Sequence, residues 1–160
     1  MGNVVTGMED ATVSLGVAID GVSGSVRISH IRRTYPEAED RWDGNWLSAL
    51  VAVNVGGFTG KSDIKLRSDE IEEFLRNIQL LVQGQSKVAV YDPMEPWLKL
   101  AFRLKKVGHY EVKGEITDRL GTGNVLKFSF EATRQHLQRS IDGIRQIAHG
   151  YPTRKDVRTE

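Results

Sequence analysis

The chain contains no cysteine. Disulfide staples, a thiol nucleophile and thiolate metal sites are therefore excluded. It also lacks a long hydrophobic run. The longest, "ALVAV" at 49–53, falls far short of the ~20 residues that span a bilayer. No secretory leader pattern opens the sequence, so a cytoplasmic location is expected. Neither sign of charge dominates: 22 Lys and Arg face 21 Asp and Glu, for a net charge of +1. That balance gives no electrostatic footprint for nucleic acid or an anionic membrane. What remains is an ordinary globular composition, with 39% apolar and 27% charged residues in a chain of 160. One domain of that length buries roughly two-thirds of its unfolded surface. The opening "MGNVVT" fits the M-G-x-x-x-[ST] acylation pattern, but so short a pattern arises by chance and no anchor is assigned.

The stretch "NVGGFTGKS", Asn54 to Ser62, has the look of a phosphate-binding loop. The loop requires G-x-x-x-x-G-K-[ST] followed by a helix. Counting back five from Gly60 reaches Val55, and the following "KSDIKLRS" alternates as a strand does. Asp63 would set a carboxylate beside any phosphate. The segment is read as a hairpin connection with Gly56-Gly57 at its turn.

The first ten residues, 1–10, carry no period and read as loose. A single domain follows over 11–151, and 152–160 is a charged tail expected to be disordered. Alternation places Val13, Leu15, Val17 and Ile19 on one strand face, then Val26 and Ile28 on the next. The polar stretch "RRTYPEAEDRWDGN" is the longest loop. It leads into "WLSALVAVNV", where Leu47, Ala49, Val51, Val53 and Val55 share a face. The period then changes to 3.6, with Ile71, Phe74, Leu75, Ile78, Leu81 and Val82 predicting an amphipathic helix over about 68–83. Ser68 suits its N-cap and Gly84 its stop. Four more strands follow in "KVAVY", "WLKLAFRL", "HYEVKGEIT" and "VLKFSF". A second helix is predicted over about 134–149, starting near Thr133, with Gly143 costing it roughly 1 kcal/mol relative to alanine. Strands, helix, strands, helix without βαβ alternation predicts α+β: about eight strands in a mostly antiparallel curved sheet or two-layer structure, with two packed helices. No internal repeat is visible in the sequence.

Chemistry is sparse. His30, His109, His136 and His149 are scattered without ligand spacing, and no metal or cofactor is expected. "DRWDGN" lacks the calcium-loop spacing, "GVSGS" is not a nucleophile elbow, and any acid pair drawn from Glu37, Glu39, Asp40 and Asp43 would be arbitrary. No catalytic residue emerges, and the chain is read as a non-enzyme. The aromatic pair Trp42 and Trp46 stands out, flanking "DGN" at the mouth of the strongest strand. Either both indoles cover the sheet's second face or the end of the core, or at least one is an exposed anchor beside acids, as in protein–protein hot spots.

From about Asp43 to Pro152 the chain resembles WapI-like bacterial immunity proteins. The similar segments are "WDGNWL", the "GGFTG" turn, "LRSDEIEEFLRNIQLL", "EPWLKLAFRLKKVGHYEVKGEITD" and "LKFSFEATRQHLQRSIDGIRQIAHGYP". One departure is the opening of the last helix, "TRQHL", where the family tends to place Asp before Gln and an aromatic; Thr133 can cap in its stead. The resemblance implies a protein that neutralises a cognate toxin domain by stoichiometric binding, without a catalytic residue. The partner-binding candidates are Asp40, Trp42, Asp43, Asn45 and Trp46. A small-ligand-binding or accessory β-rich domain, with the tryptophans lining a cleft, is the alternative from another class. No nucleic-acid or membrane partner is expected, and the sequence leaves the oligomeric state open.

Overall fold

The computed structural model describes residues 16–156. The expected loose N-terminus at 1–10, the strand positions Val13 and Leu15, and the tail beyond 156 lie outside them. Period-2 segments form eight strands. β1 (Val17–Asp20), β2 (Gly24–Arg33), β3 (Trp46–Val55) and β4 (Phe58–Arg67) make one antiparallel sheet in that order. β5 (Val88–Tyr91), β6 (Leu98–Lys106), β7 (His109–Thr117) and β8 (Val125–Thr133) make a second. Helix α1 (Ser68–Val82) follows β4 with no loop, and α2 (Arg134–Gly150) follows β8 in the same way. The α+β fold thus repeats one plan twice, a four-stranded meander running straight into a helix. This duplication of topology has no counterpart in the residues, where no repeat is legible.

Each helix leaves its own meander. α1 packs along β5 of the other sheet, α2 packs along β1, and the helices pack on each other. Their apolar stripes, Ile71, Phe74, Ile78 and Leu81 on α1 and Leu137, Ile141, Ile144 and Ile147 on α2, join the inward strand faces in one core. Phe74 lies 5.4 Å from Tyr91 and 5.7 Å from Phe102 between ring centroids, tying α1 to the second sheet. Gly143 has a packing role that propensity alone misses. A Cβ there would come within 3.3 Å of the Val17 methyls, so the glycine lets β1 lie close on α2.

Two local features adjust the predicted pattern. β2 carries a bulge between Ser29 and Arg32, with His30 in the left-handed region at φ 55°. The extra residue turns Ile31 into the core and leaves His30 exposed. Between β3 and β4, Val55 pairs with Phe58 across Gly56-Gly57, and Gly56 supplies a positive φ of 57°. Lys61 and Ser62 sit within β4, paired with Ala52 and Val51, so this segment is a hairpin and not a phosphate loop.

Candidate functional site

The site is built where the longest loop meets the junction of β4 and α1. Asp40 shapes the loop: its Oδ1 accepts the backbone N–H groups of Asp43 at 2.7 Å and Trp42 at 2.8 Å. Those bonds, that from Asp43 foremost, hold the Asp40 carboxyl below the usual carboxylate range. The turn they fix leads into a short 3-10 segment, Asp43–Asn45, and then into β3. Asn45 is fully buried. Its amide donates to the carbonyls of Arg41 at 2.7 Å and Arg154 at 2.9 Å, and its Oδ1 accepts from the Arg154 N–H at 2.7 Å.

The chain after α2 is therefore part of the site. Arg154 also donates to the Ala38 carbonyl, Arg33 donates to those of Gly44 at 2.6 Å and Pro152 at 2.8 Å, and Asp156 accepts the Arg41 N–H at 2.9 Å. The disordered tail expected from 152 gives way, over 152–156, to a strap across the loop. Charge composition alone suggested solvation there; backbone pairing with a buried asparagine prevails.

Trp46 and Trp42 divide. Trp46 is buried at 9% exposure, whereas Trp42 is 57% exposed, and their rings meet edge to face with centroids 6.2 Å apart. In the corner between them sits Arg67, the residue paired with Trp46 across the β3–β4 register. Its guanidinium carbon lies 4.8 Å from the Trp42 centroid and 4.9 Å from that of Trp46. The side chain is 4% exposed and fully engaged. Nε meets Asp69 Oδ1 at 3.2 Å, and the terminal nitrogens donate to the carbonyls of Trp42 at 3.0 Å and Arg41 at 3.1 Å. A planar fork that stacks and donates at once is arginine chemistry that lysine cannot reproduce.

Arg67 is also the N-cap of α1, and it makes no side-chain cap. The sequence assigned that role to Ser68. Instead Ser68 is the first helical residue, buried, with its hydroxyl unpartnered. Asp69 and Glu70 occupy the first turn, as helix polarity favours. Glu70 Oε2 accepts the Met94 N–H at 2.7 Å, and burial pushes the Glu70 carboxyl above its ordinary range, with Asp69 adding to the effect.

These groups surround an open groove of about 440 Å³. Trp42 and Met94 give it apolar walls, Asp40, Asp69, Glu70 and Asp156 its acids, and Arg41 and Arg67 its cations. Of the five sequence candidates, Asp40, Trp42 and Asp43 are exposed, while Asn45 and Trp46 are buried and hold the loop in place. Arg67, Glu70, Met94 and Asp156 were missed. Arg67 was within reach of the sequence, because a two-residue Gly-Gly turn fixes the register that sets it opposite Trp46. Met94 and Asp156 arrive through long-range packing that carries no local signal. An apolar space against the core, between Val17, Phe74, Tyr91 and Ile144, is about 30 Å³, room for one water and no ligand. No cluster of three potential metal ligands occurs among the described residues, and no helix among them is long and apolar enough to cross a membrane.

A match to the immunity protein WapI-like family spans residues 18–152. The chain belongs to that family. The match runs from β1 to the strap, and so takes in β1 and β2, which the resemblance from Asp43 onward left out. Membership in this WapI-like family supports an immunity role and a protein toxin as the kind of partner. Among curated proteins, none matches the chain. Two solved structures are similar at a distance. One is Trypanosoma bruciei MRP1/MRP2, with 14% identity, a TM-score of 0.44 and 86% of each chain covered. The other is a guide-RNA-binding protein complex bound to a gRNA, with 11% identity, a TM-score of 0.41, and 71% of this chain and 83% of that one covered. Likeness at that level carries no argument about what a WapI-like chain binds.

Proposed function

We propose that this protein neutralises one cognate toxin domain by direct, stoichiometric binding in the cytoplasm, without catalysis, and that the Trp42 groove belongs to the binding surface. The observation that supports it is the exposed Trp42 indole, held on a buried Arg67 and braced by Trp46. A large side chain ordered before binding loses little entropy on association, and rigid aromatics ringed by charge are the usual energetic centre of tight interfaces. Asp40 and Asp43, exposed on the same loop, would steer encounter. The alternative of a small-ligand domain finds less support: the apolar space between Val17, Phe74, Tyr91 and Ile144 is too small for a ligand, and the Trp42 groove is open.

The test is co-expression with a candidate toxin domain, sought first among the genes neighbouring this one, paired with calorimetry of the purified proteins. Wild type should restore growth and bind one to one. Trp42→Ala should fold, and lose about 2 kcal/mol or more of binding free energy. Wild-type protein that neither binds nor protects would overturn the reading.

A further inference from the structure

We propose that β4 pairs edge to edge with β4 of a second copy of this chain, in one two-fold register centred on Ser62. The sheets end in β1 and β4, and in β5 and β8. α2 packs along β1 and α1 along β5, and the Glu131 carbonyl of β8 accepts the Val22 N–H at 2.7 Å. The edge of β4 is different. Its two-residue turn makes Val55 and Phe58 a hydrogen-bonded pair. The ladder runs on to Arg67 without a bulge, so Thr59, Lys61, Asp63 and Lys65 direct their backbone groups away from β3. Among the described residues those groups meet no backbone partner, and their one side-chain bond is from the Ser62 hydroxyl to the Asp63 carbonyl at 3.3 Å. Such a row of unpaired N–H and C=O groups is a template for another strand.

The order of charge selects the strand that fits. In two-fold antiparallel pairing, outward residues of one edge face outward residues of the other. An axis at Lys61, Asp63 or Lys65 sets that residue against its own copy, like charge against like. An axis at Ile64 sets Asp63 against Lys65, but it also sets Lys61 against Arg67 and carries Phe58–Gly60 past the end of the strand. An axis at Ser62 sets Lys61 against Asp63 of the second copy, twice, and overlaps residues 58–66, nearly the whole strand. Lys61 and Asp63 are both exposed. Lysine on an open edge ordinarily repels a neighbouring strand, and here a carboxylate answers it in that register. Phe58 agrees with the same axis. It shares its face with the buried Ile64 and Leu66, yet is itself 72% exposed. The Ser62 axis places it opposite Leu66 of the second copy in a non-hydrogen-bonded pair, where side chains come closest. Charge, strand length and the exposed aromatic thus converge on the strand's own copy.

Sedimentation of the full chain over a concentration series tests this, beside two charge reversals and their mixture. Wild type should pass from monomer to dimer as concentration rises. Lys61→Asp and Asp63→Lys each set like charges in both pairs, and each should weaken the dimer about tenfold. Mixing the two variants should restore it as a one-to-one heterodimer, in which both pairs are again of opposite sign. Should a reversal melt early, a cross-link gives an independent reading, because the chain has no cysteine of its own. Ser62→Cys should form a disulfide dimer on mild oxidation, since opposed residues of a non-hydrogen-bonded pair have Cα atoms about 4.5 Å apart. Thr59→Cys, three residues from the axis, should not. A protein monomeric throughout, a dimer indifferent to both reversals, a mixture no tighter than its components, or equal cross-linking at both cysteines would overturn the inference.

Discussion

The chain passes from strand straight into helix twice, and the two junctions are built on opposite priorities. At the second, Thr133 is an extended N-cap whose hydroxyl accepts the His136 N–H at 3.4 Å, while the His136 ring nitrogen takes the Thr133 N–H at 3.0 Å. This is a capping box with histidine in the place usually held by Glu or Gln. At the first, Arg67 occupies the same position with similar backbone angles, yet leaves the helix end without a side-chain cap. Its guanidinium turns instead into the corner of two indoles. The first turn of α1 holds Asp69 and Glu70, whereas that of α2 holds no acid. One junction stabilises its helix; the other holds a surface in shape. A local rule broken in one half and kept in the equivalent half points to the place where folding is not the only demand.

The largest effect expected comes from the corner itself. Trp46→Ala should cost roughly 3–5 kcal/mol as a core truncation. Arg67→Ala should cost about 3 kcal/mol, because Asp69 and two carbonyls lose their donor. Arg67→Lys should recover less than half of that loss, since the ammonium cannot stack and fork together. Denaturant melts decide both, and a full rescue by lysine would reduce the corner to simple charge.

Next is the strap. Asn45→Ala should cost about 2 kcal/mol through three lost buried hydrogen bonds. Hydrogen exchange at the amides of Thr153 and Arg154 should quicken with it. Unchanged exchange there would mean that the strap holds without Asn45.

The smallest effects sharpen the contrast between junctions. Thr133→Ala should destabilise by about 1 kcal/mol through the lost cap. Ser68→Ala should be neutral or gain up to about 1 kcal/mol, because it removes a buried unpaired hydroxyl and supplies a better helix former. Equal losses at both positions would erase the asymmetry.

How much of this was legible follows from the range of each interaction. The strands and helices could be read because Leu47, Ala49, Val51 and Val53 alternate and the α1 stripe repeats at 3.6, both local signals. The capping role of Thr133 was also local. Ser68 misled for an instructive reason: the hydroxyl next to the true cap position looks the same in sequence, and only the path of β4 shows that Arg67 precedes the first helical residue. The pairing of Trp46 with Arg67 was implicit in the Gly56-Gly57 turn. Contacts of Asn45 with Arg154, or of Glu70 with Met94, join residues that only the completed fold brings together, and the duplicated plan is carried by topology with no shared residues to announce it.

The central claim is that the first junction is shaped for a partner, and the affinity of Trp42→Ala for the toxin domain tests it most directly, measured beside Thr133→Ala as the control from the other junction. Trp42→Ala should lose about 2 kcal/mol or more of binding with a melting temperature near that of wild type, while Thr133→Ala should bind as wild type does despite melting lower. A well-folded Trp42→Ala protein of unchanged affinity would contradict the account.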